Sequence, residues 1–254
     1  MGRDQGPALT RWAGAGRAAL DFLLPAVCPS CDALLGEAKP GLVCGLCWSR
    51  IASLPSPQCA RCGHPGLRRP CAWCALLPPY VRAARSVCWV HRGTGQMIVH
   101  ALKYGRWHAT APEIAERIGR LGWPPDVLEE RVAVVPVPLA ESRRRERGFN
   151  QSERLGAALA ARWSLPLWTD ALERARATRT QTRLTPAERL ANVSGAFRVR
   201  DSARPRLANQ HVVLVDDVVT TAATLNACAA ALVAGGARIV SYATFGRAPA
   251  AGDR

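Results

Sequence analysis

Eight of the ten cysteines fall into four pairs, each with the spacing C-x2-C. The pairs are Cys28/Cys31, Cys44/Cys47, Cys59/Cys62 and Cys71/Cys74. One C-x2-C turn presents two sulfurs to an ion, and a second turn completes a tetrahedral shell that leaves no position for water. The spacing therefore predicts two structural sites for zinc, or for another tetrahedral metal such as iron. It allows neighbouring pairs to share an ion, and equally an interleaved arrangement.

A second chemical motif is an acidic pair that follows an apolar run and precedes a threonine-rich turn. The pair is Asp216-Asp217, and the turn consists of Thr220, Thr221, Ala222, Ala223 and Thr224. Threonine hydroxyls and the backbone N–H groups at a helix N-terminus favour phosphate. Carboxylates repel phosphate, so we expect the acidic pair to meet ribose hydroxyls and a bound magnesium ion.

The elements that position this motif alternate along the chain from about Tyr80. We predict strands over 85–90, 131–136, 211–216 and 238–245, and helices over 95–103, 112–121, 150–163 and 222–233. Such alternation predicts an α/β fold, a parallel sheet flanked by helices on both faces. Residues 174–195 are polar and arginine-rich, which predicts a long loop of the kind that covers binding sites.

The composition divides the chain into three parts. Residues 1–27 carry apolar residues on one helical face and predict an N-terminal helical segment. Residues 28–79 are rich in Cys, Pro and Gly and too irregular to bury a core, so metal must stabilise this small domain. Residues 80–254 contain the predicted sheet.

The net charge indicates which classes of partner to expect, and the targeting signals indicate the cellular compartment. With 34 basic and 19 acidic residues, the formal net charge is +15, which favours nucleic acid, phosphorylated ligands or an acidic membrane surface. A solvated arginine-rich surface explains the charge equally well. No export signal is recognisable, and the uncharged stretch 218–237 follows two aspartates and contains several polar residues, so we expect a buried helix, no transmembrane segment and a cytoplasmic protein.

The acidic pair and its turn resemble the ribose-phosphate loop of type I phosphoribosyltransferases, which bind phosphoribosyl pyrophosphate (PRPP). The wider chain resembles the ComF family, also called the GntX-like or competence-protein F family. The cysteine pairs carry this resemblance together with residues 98–105, 135–138, 147–151, 180–184 and 189–197. It implies a double zinc ribbon over 28–79 and a phosphoribosyltransferase domain over 80–254.

The resemblance also implies roles for individual residues. Asp216 and Asp217 would bind the ribose hydroxyls, with Mg²⁺ accompanying PRPP, and the turn 220–224 would hold the 5′-phosphate. The turn at Val137 and Pro138 matches the pyrophosphate loop, with Arg143 and Arg147 close by to neutralise charge. Residues 174–195 match the loop that covers the active site.

One position departs from the family pattern, which has glycine where this chain has Ala222. If the position requires a positive φ, alanine is strained there. If it already belongs to the helix, the extra methyl group only narrows the site.

Two functions are compatible with these patterns. The first is an enzyme that transfers phosphoribosyl from PRPP to an acceptor that the sequence does not identify. The second is a non-catalytic factor in DNA uptake that binds single-stranded DNA and the competence machinery. For the second, arginines would follow the backbone and tryptophans would stack on bases, although packing is the commoner role of tryptophan: Arg143, Arg144, Arg145, Arg147, Arg174, Arg176, Arg179, Arg183, Trp48, Trp73 and Trp107.

Overall fold

The computed structural model describes residues 27–35, 42–66, 71–91, 93–104, 107–176, 193 and 195–249. The predicted N-terminal helical segment and the middle of the predicted long loop lie outside these residues.

The described helices follow one another in chain order as α1 Gly45–Ser49, α2 Ala72–Ala75, α3 Thr94–Tyr104, α4 Ala111–Gly119, α5 Pro125–Glu130, α6 Glu141–Arg147, α7 Gln151–Trp163, α8 Arg204–Leu207 and α9 Ala223–Ala234. The strands are β1 Val81–Trp89, β2 Arg131–Pro136, β3 Leu172–Arg174, β4 Phe197–Val199, β5 His211–Val219 and β6 Ile239–Arg247. Short 3₁₀ turns over Trp107–Thr110 and Asp201–Ala203 complete the set.

The main sheet has the order β1-β6-β5-β2, and every neighbouring pair in it is parallel. This confirms the predicted α/β fold. Because parallel strands end at the same edge, the segments that follow β1, β2, β5 and β6 meet there, where ligands of open α/β sheets bind. The motif residues of β5 therefore lie at the edge expected for a site.

Both faces of the sheet are buried, as the near-continuous apolar runs of β2 and β5 predict. Along β5, Val212 and Leu214 pack in one apolar cluster with α9, whereas Val213 and Val215 pack in the other with α3, α4 and α7. This alternation follows from the two-residue period of a strand.

The structure corrects several of the predicted elements. Strand β1 begins at Val81, four residues before the predicted start at residue 85. Strand β5 continues to Val219, beyond the predicted end at Asp216, because residues 216–219 keep their register with β6. The predicted loop 174–195 begins inside β3, which pairs antiparallel with β4. The segment over 141–147, not predicted as regular structure, forms helix α6, which ends at Gly148 in the left-handed conformation with φ 77°.

Within the described ranges, no helix combines the length and the hydropathy required to cross a bilayer. The uncharged stretch 218–237 forms the end of β5 and the buried helix α9.

Candidate ligand site and metal centres

The acidic pair lies inside strand β5, where neighbouring helices hold both carboxylates. The hydroxyl of Ser152, in the first turn of α7, donates to Asp216 Oδ1 at 2.8 Å, and the Asp217 N–H donates to the same oxygen at 2.9 Å. Burial raises the pKa of Asp216 to about 7, and the neighbouring Asp217 charge acts in the same direction against the Ser152 hydrogen bond. Asp216 is therefore able to change protonation near neutral pH.

Asp217 is buried, at 5% exposure, and forms an ion pair with a lysine from α3. Lys103 Nζ lies 2.8 Å from Asp217 Oδ2, and the Val218 N–H donates to Asp217 Oδ1 at 2.8 Å. Burial acts to lower the pKa of Lys103, but the Asp217 carboxylate outweighs it, so the pKa of Lys103 is raised. This ion pair fixes the Asp217 carboxylate at the edge of the sheet.

The turn that follows is strained at Ala222. This residue has φ 59° and caps α9, and its carbonyl accepts from the Asn226 N–H at 2.8 Å. The position is thus the left-handed one that favours glycine, and alanine there costs about 1 kcal/mol. The structure decides between the two conformations that the sequence left open.

A cavity of about 520 Å³ opens above the acidic pair and the turn. Six of the seven residues expected to bind PRPP line it: Asp216, Asp217, Thr220, Ala222, Ala223 and Thr224. Thr221 is not in the lining, and its buried hydroxyl finds no hydrogen-bond partner among the residues that the structure describes. Buried polar groups are normally hydrogen-bonded, so Thr221 is an exception, and the polar groups that face the cavity belong to Asp216, Asp217, Thr220 and Thr224.

Helix α3 forms the opposite wall of this cavity, and the sequence analysis gave it no role in the site. Gln96, Val99, His100 and Lys103 line the cavity because residues three and four apart share one face of a helix. The sequence did contain a signal for Lys103, because the chain has only two lysines, Lys39 and Lys103. Ser152 was not predicted as a site residue; Asn150 is the N-cap of α7 and accepts from the Ser152 N–H at 3.1 Å.

The candidate pyrophosphate residues lie beside the cavity lining, at the end of β2. The Val137 N–H donates to the Val215 carbonyl at 3.0 Å, and its own carbonyl accepts from Asn150 at 3.0 Å. Pro138 lines a separate cavity of about 250 Å³. The turn is thus held firmly next to β5 without reaching the larger cavity.

The two candidate arginines belong to α6. Arg143 pairs with Glu146 at 2.8 Å, and Arg147 donates to Gln151 Oε1 at 3.3 Å. The charge of Arg147 nevertheless acts to lower the pKa of Lys103, so both cations border the same edge of the sheet.

Two of the three tryptophans suggested for base stacking are packed inside the protein. Trp48 is buried beneath the Arg117 guanidinium, whose carbon lies 3.6 Å from the ring centre, and its indole N–H donates to Glu113. Trp73 is 5% exposed. Packing excludes both from stacking on bases. Arg179, Arg183 and the side chain of Trp107 fall outside the described part of the chain.

The eight paired cysteines converge into two tetrads of neighbouring pairs, and the interleaved alternative was wrong. We call them the Cys28 tetrad (Cys28, Cys31, Cys44 and Cys47) and the Cys59 tetrad (Cys59, Cys62, Cys71 and Cys74); within each, the sulfurs lie within 4.8 Å of one another. Tetrahedral zinc with 2.3 Å bonds requires sulfurs about 3.8 Å apart. The observed distances of 3.7 Å for Cys31–Cys44 and 3.4 Å for Cys59–Cys74 fit that ion.

In each tetrad, backbone N–H groups lower the pKa of one thiol and so favour the thiolate form. Burial opposes the ionisation of Cys28, but hydrogen bonds from backbone N–H groups, including that of Cys44 at 3.5 Å, lower its pKa to about 7. Burial likewise opposes the ionisation of Cys59, and the backbone N–H groups of Cys62 and Arg61 lower its pKa to about 7. Thiolates are the form that binds zinc.

Comparisons with known proteins agree with this architecture. The double zinc ribbon domain family matches residues 19–88, and the phosphoribosyl transferase domain family matches residues 150–253. The chain is 33% identical over 228 residues to the DNA utilization protein YhgH of Escherichia coli strain K12, covering 85% of this chain and 95% of that protein. It is 28% identical over 220 residues to Competence protein F of Haemophilus influenzae, covering 78% and 87%.

Proposed function

This chain belongs to the ComF-like family, which joins a double zinc ribbon to a phosphoribosyltransferase-like domain, and on that premise we propose that it binds PRPP with Mg²⁺ in the cavity above Asp216 and Asp217. One observation carries the proposal. Two carboxylates, a threonine-rich turn at a helix N-terminus and a lysine from α3 surround the same 520 Å³ space. Carboxylates suit ribose hydroxyls and hard cations, and the turn suits phosphate.

The residues present fit magnesium. The carboxylate oxygens of Asp216 and Asp217 are the hard ligands that this ion prefers, and the ion takes most of its remaining ligands from water and from phosphate oxygens of the substrate. When bound with PRPP, magnesium supplies neutralisation of the pyrophosphate charge.

The chain's own groups then bind and orient the substrate. The acidic pair holds the ribose hydroxyls, and Thr220 and Thr224, which line the cavity, donate hydrogen bonds to the 5′-phosphate. The turn at Val137 and Pro138 lies next to β5 but outside this cavity, so the pyrophosphate of PRPP would extend beyond the cavity to meet it, with Arg143 and Arg147 of α6 to neutralise its charge. Fixing PRPP in this way favours transfer of phosphoribosyl to an acceptor, with pyrophosphate as the leaving group, because orientation and charge stabilisation are the main contributions that a protein makes to such a step.

A comparison of partial ligands tests this proposal. We expect PRPP with Mg²⁺ to bind more tightly than ribose 5-phosphate, and ribose 5-phosphate more tightly than ribose, since each phosphate group adds contacts. We expect omission of Mg²⁺ to weaken the binding of PRPP more than the binding of ribose 5-phosphate. Equal affinities for all three ligands, with or without the metal, contradict the proposal.

A second candidate function is the binding of single-stranded DNA. The names of the relatives favour it, and so does α6, which has Arg143, Arg144, Arg145 and Arg147 within seven residues. Binding to the phosphate backbone of DNA predicts that the logarithm of the binding constant falls linearly with the logarithm of the salt concentration.

Neutralising the α6 arginines tests this second candidate. Changing all four to Gln is expected to flatten the salt dependence and to weaken binding, whereas Arg120→Gln, an exposed arginine of the α4 C-cap, leaves both unchanged. Unaltered binding by the four-fold variant excludes α6 as the DNA-binding surface.

A further inference from the structure

The two cysteine tetrads stand in different relations to the ligand site. The Cys59 tetrad packs into the same apolar cluster as Val219, Ala222 and Leu225, which surround the phosphate turn. Cys28, Cys44 and Cys47 of the other tetrad pack in the cluster on the opposite face of the sheet, which reaches the cavity through Val99 and Val218 and does not include the phosphate turn. A shared core gives the first tetrad a physical connection to the turn.

The first connection runs through Arg247 at the end of β6. Arg247 is in register with Val219, the last residue of β5 before the turn, and the N–H of Ala248, the residue that follows β6, donates to the Val219 carbonyl at 2.8 Å. The Arg247 side chain is 1% exposed, and its guanidinium donates to the carbonyl of the zinc ligand Cys62. It also lies 4.7 Å from the ring centre of Trp73, which stands between two further ligands of the Cys59 tetrad.

The second connection runs through Asn226 in the first turn of α9. Its backbone N–H donates to the carbonyl of Ala222, the strained residue of the turn. Its side-chain amide donates to the Leu76 carbonyl at 2.7 Å, and its side-chain oxygen accepts from Tyr242 at 3.0 Å. Leu76 caps α2, the helix that carries Cys74, so one side chain joins this tetrad to the start of α9.

The ribbon and the sheet are in close backbone contact at the same place. Gly63, next to Cys62, has φ 66°, and a Cβ built there would lie 2.6 Å from the Ala84 carbonyl oxygen of β1. Arg61 and Arg85 add hydrogen bonds on either side; Arg61 donates to the Cys74 carbonyl at 3.3 Å and Arg85 to the Ala60 carbonyl at 2.8 Å. A displacement of this knuckle therefore moves the backbone that holds Arg247.

We propose that the metal of the Cys59 tetrad positions the phosphate turn through Arg247 and Asn226, so that affinity for PRPP depends on this metal and not on the metal of the Cys28 tetrad. The proposal deepens the proposed function and rests on it. Loss of the ion releases Cys62 and Trp73, which loosens two of the contacts that hold the buried Arg247 guanidinium at the end of β6. Arg247 and Asn226 are positioning residues, since neither lines the cavity.

Wild-type protein provides the most direct test, because coupling between two binding sites is reciprocal. Zinc affinities of the two tetrads are measured by equilibrium competition with a chromophoric chelator, with and without saturating PRPP and excess Mg²⁺. We expect PRPP to tighten zinc binding at one tetrad by about ten-fold, the equivalent of one charged hydrogen bond, and to leave the other unchanged. Equal effects on both tetrads, or no effect on either, overturn the proposal.

A matched pair of variants assigns the responding tetrad. Cys31→Ser in the Cys28 tetrad and Cys71→Ser in the Cys59 tetrad each remove one thiolate that is not fully buried. We expect both to lower the zinc content towards one ion, but only Cys71→Ser to weaken PRPP binding by about ten-fold. The opposite assignment overturns the proposal.

Asn226→Ala supplies a readout that does not disturb the metal ligands. It removes the hydrogen bond to Leu76 while retaining two zinc ions, and we expect PRPP to bind several-fold more weakly and to lose its effect on zinc affinity. Retention of the full PRPP effect on zinc in this variant excludes Asn226 from the coupling. Wild-type protein that binds no PRPP contradicts the proposed function itself, whereas PRPP binding without any zinc response contradicts only the coupling.

Discussion

The cysteine tetrads and the acidic pair each place negatively charged groups close together. The two regions differ in what neutralises that charge. Each tetrad brings four sulfurs within 4.8 Å of one another, and their thiolate charges require a metal ion from outside the chain. At the acidic pair, the chain itself supplies Lys103 against Asp217 and Ser152 against Asp216. The ribbon thus depends on metal for its structure, whereas the ligand site is assembled before its ligand arrives.

The two regions also differ in access. A shell of four thiolates is closed and has no position for substrate, while the acidic pair faces a cavity of about 520 Å³. Negative groups at close range therefore form a closed metal centre in one part of this molecule and face an open cavity, the proposed PRPP site, in another.

Removal of the metal ions is expected to have the largest effect, because it should destabilise the ribbon and leave the sheet folded. Structural zinc contributes on the order of 10 kcal/mol or more to the folding of isolated zinc fingers. We therefore expect amide exchange in the described ribbon segments 27–35, 42–66 and 71–77 to rise strongly after chelation, while the centres of β2 and β5 remain protected. Loss of protection in β5 in step with the ribbon contradicts a separate role for the metal.

Lys103→Met tests whether the chain itself compensates the acidic pair. Breaking a buried ion pair costs about 3–5 kcal/mol; because the Lys103 side chain is 27% exposed, we expect about 2 kcal/mol of lost stability in urea unfolding. Lys103→Met/Asp217→Asn removes both charges and is expected to recover most of this loss. A double variant less stable than Lys103→Met contradicts the assignment of Lys103 as the compensating charge.

The pH dependence tests the raised pKa of Asp216. An aspartate titrates near pH 4 in an unfolded chain, so with a folded pKa of about 7 the folded protein binds an extra proton between these values. The contribution of Asp216 to stability therefore falls as the pH rises from about 4 to 7. Ligand binding requires the carboxylate, so PRPP affinity is expected to rise up to about ten-fold per pH unit below 7 and then level off. Calorimetry across pH 5.5–8.5 measures this rise, and an equally steep rise in Asp216→Asn argues against Asp216 as its source.

Ala222→Gly has the smallest expected effect and addresses strain within the phosphate turn. Glycine relieves the positive φ, so we expect about 1 kcal/mol of added stability and a rise in Tm of about 2–4 °C. Ala223→Gly is the matched control, because Ala223 begins α9 and glycine is unfavourable within a helix. A similar change in Tm for both variants contradicts strain at Ala222.

Local patterns predicted the parallel sheet and the cysteine pairs because periodicity and spacing are properties of short segments. The end of β5 was misplaced because Asp216 and Asp217 have low strand propensity, and pairing with β6 overrides it.

Contacts between distant segments were beyond the sequence. Lys103 meets Asp217 because β1 and β5 both lie next to β6 in the sheet. Helix α3, which follows β1, returns over the edge of the sheet where β5 ends. The φ of Ala222 was undetermined, since alanine is tolerated in a helix and only the closed turn selects the left-handed conformation. Trp48 and Trp73 were suggested for base stacking because no local signal showed the arginines, Arg117 and Arg247, that cover them.

Calorimetric titration of the zinc-loaded protein with PRPP and Mg²⁺ measures whether Asp216 and Asp217 bind PRPP, as we propose. We expect saturable binding by wild type and loss of at least about 100-fold in affinity for Asp216→Ala/Asp217→Ala, the equivalent of two charged contacts, with zinc content unchanged. Equal affinity of the folded wild type and the variant, or no binding by either, would contradict this proposal.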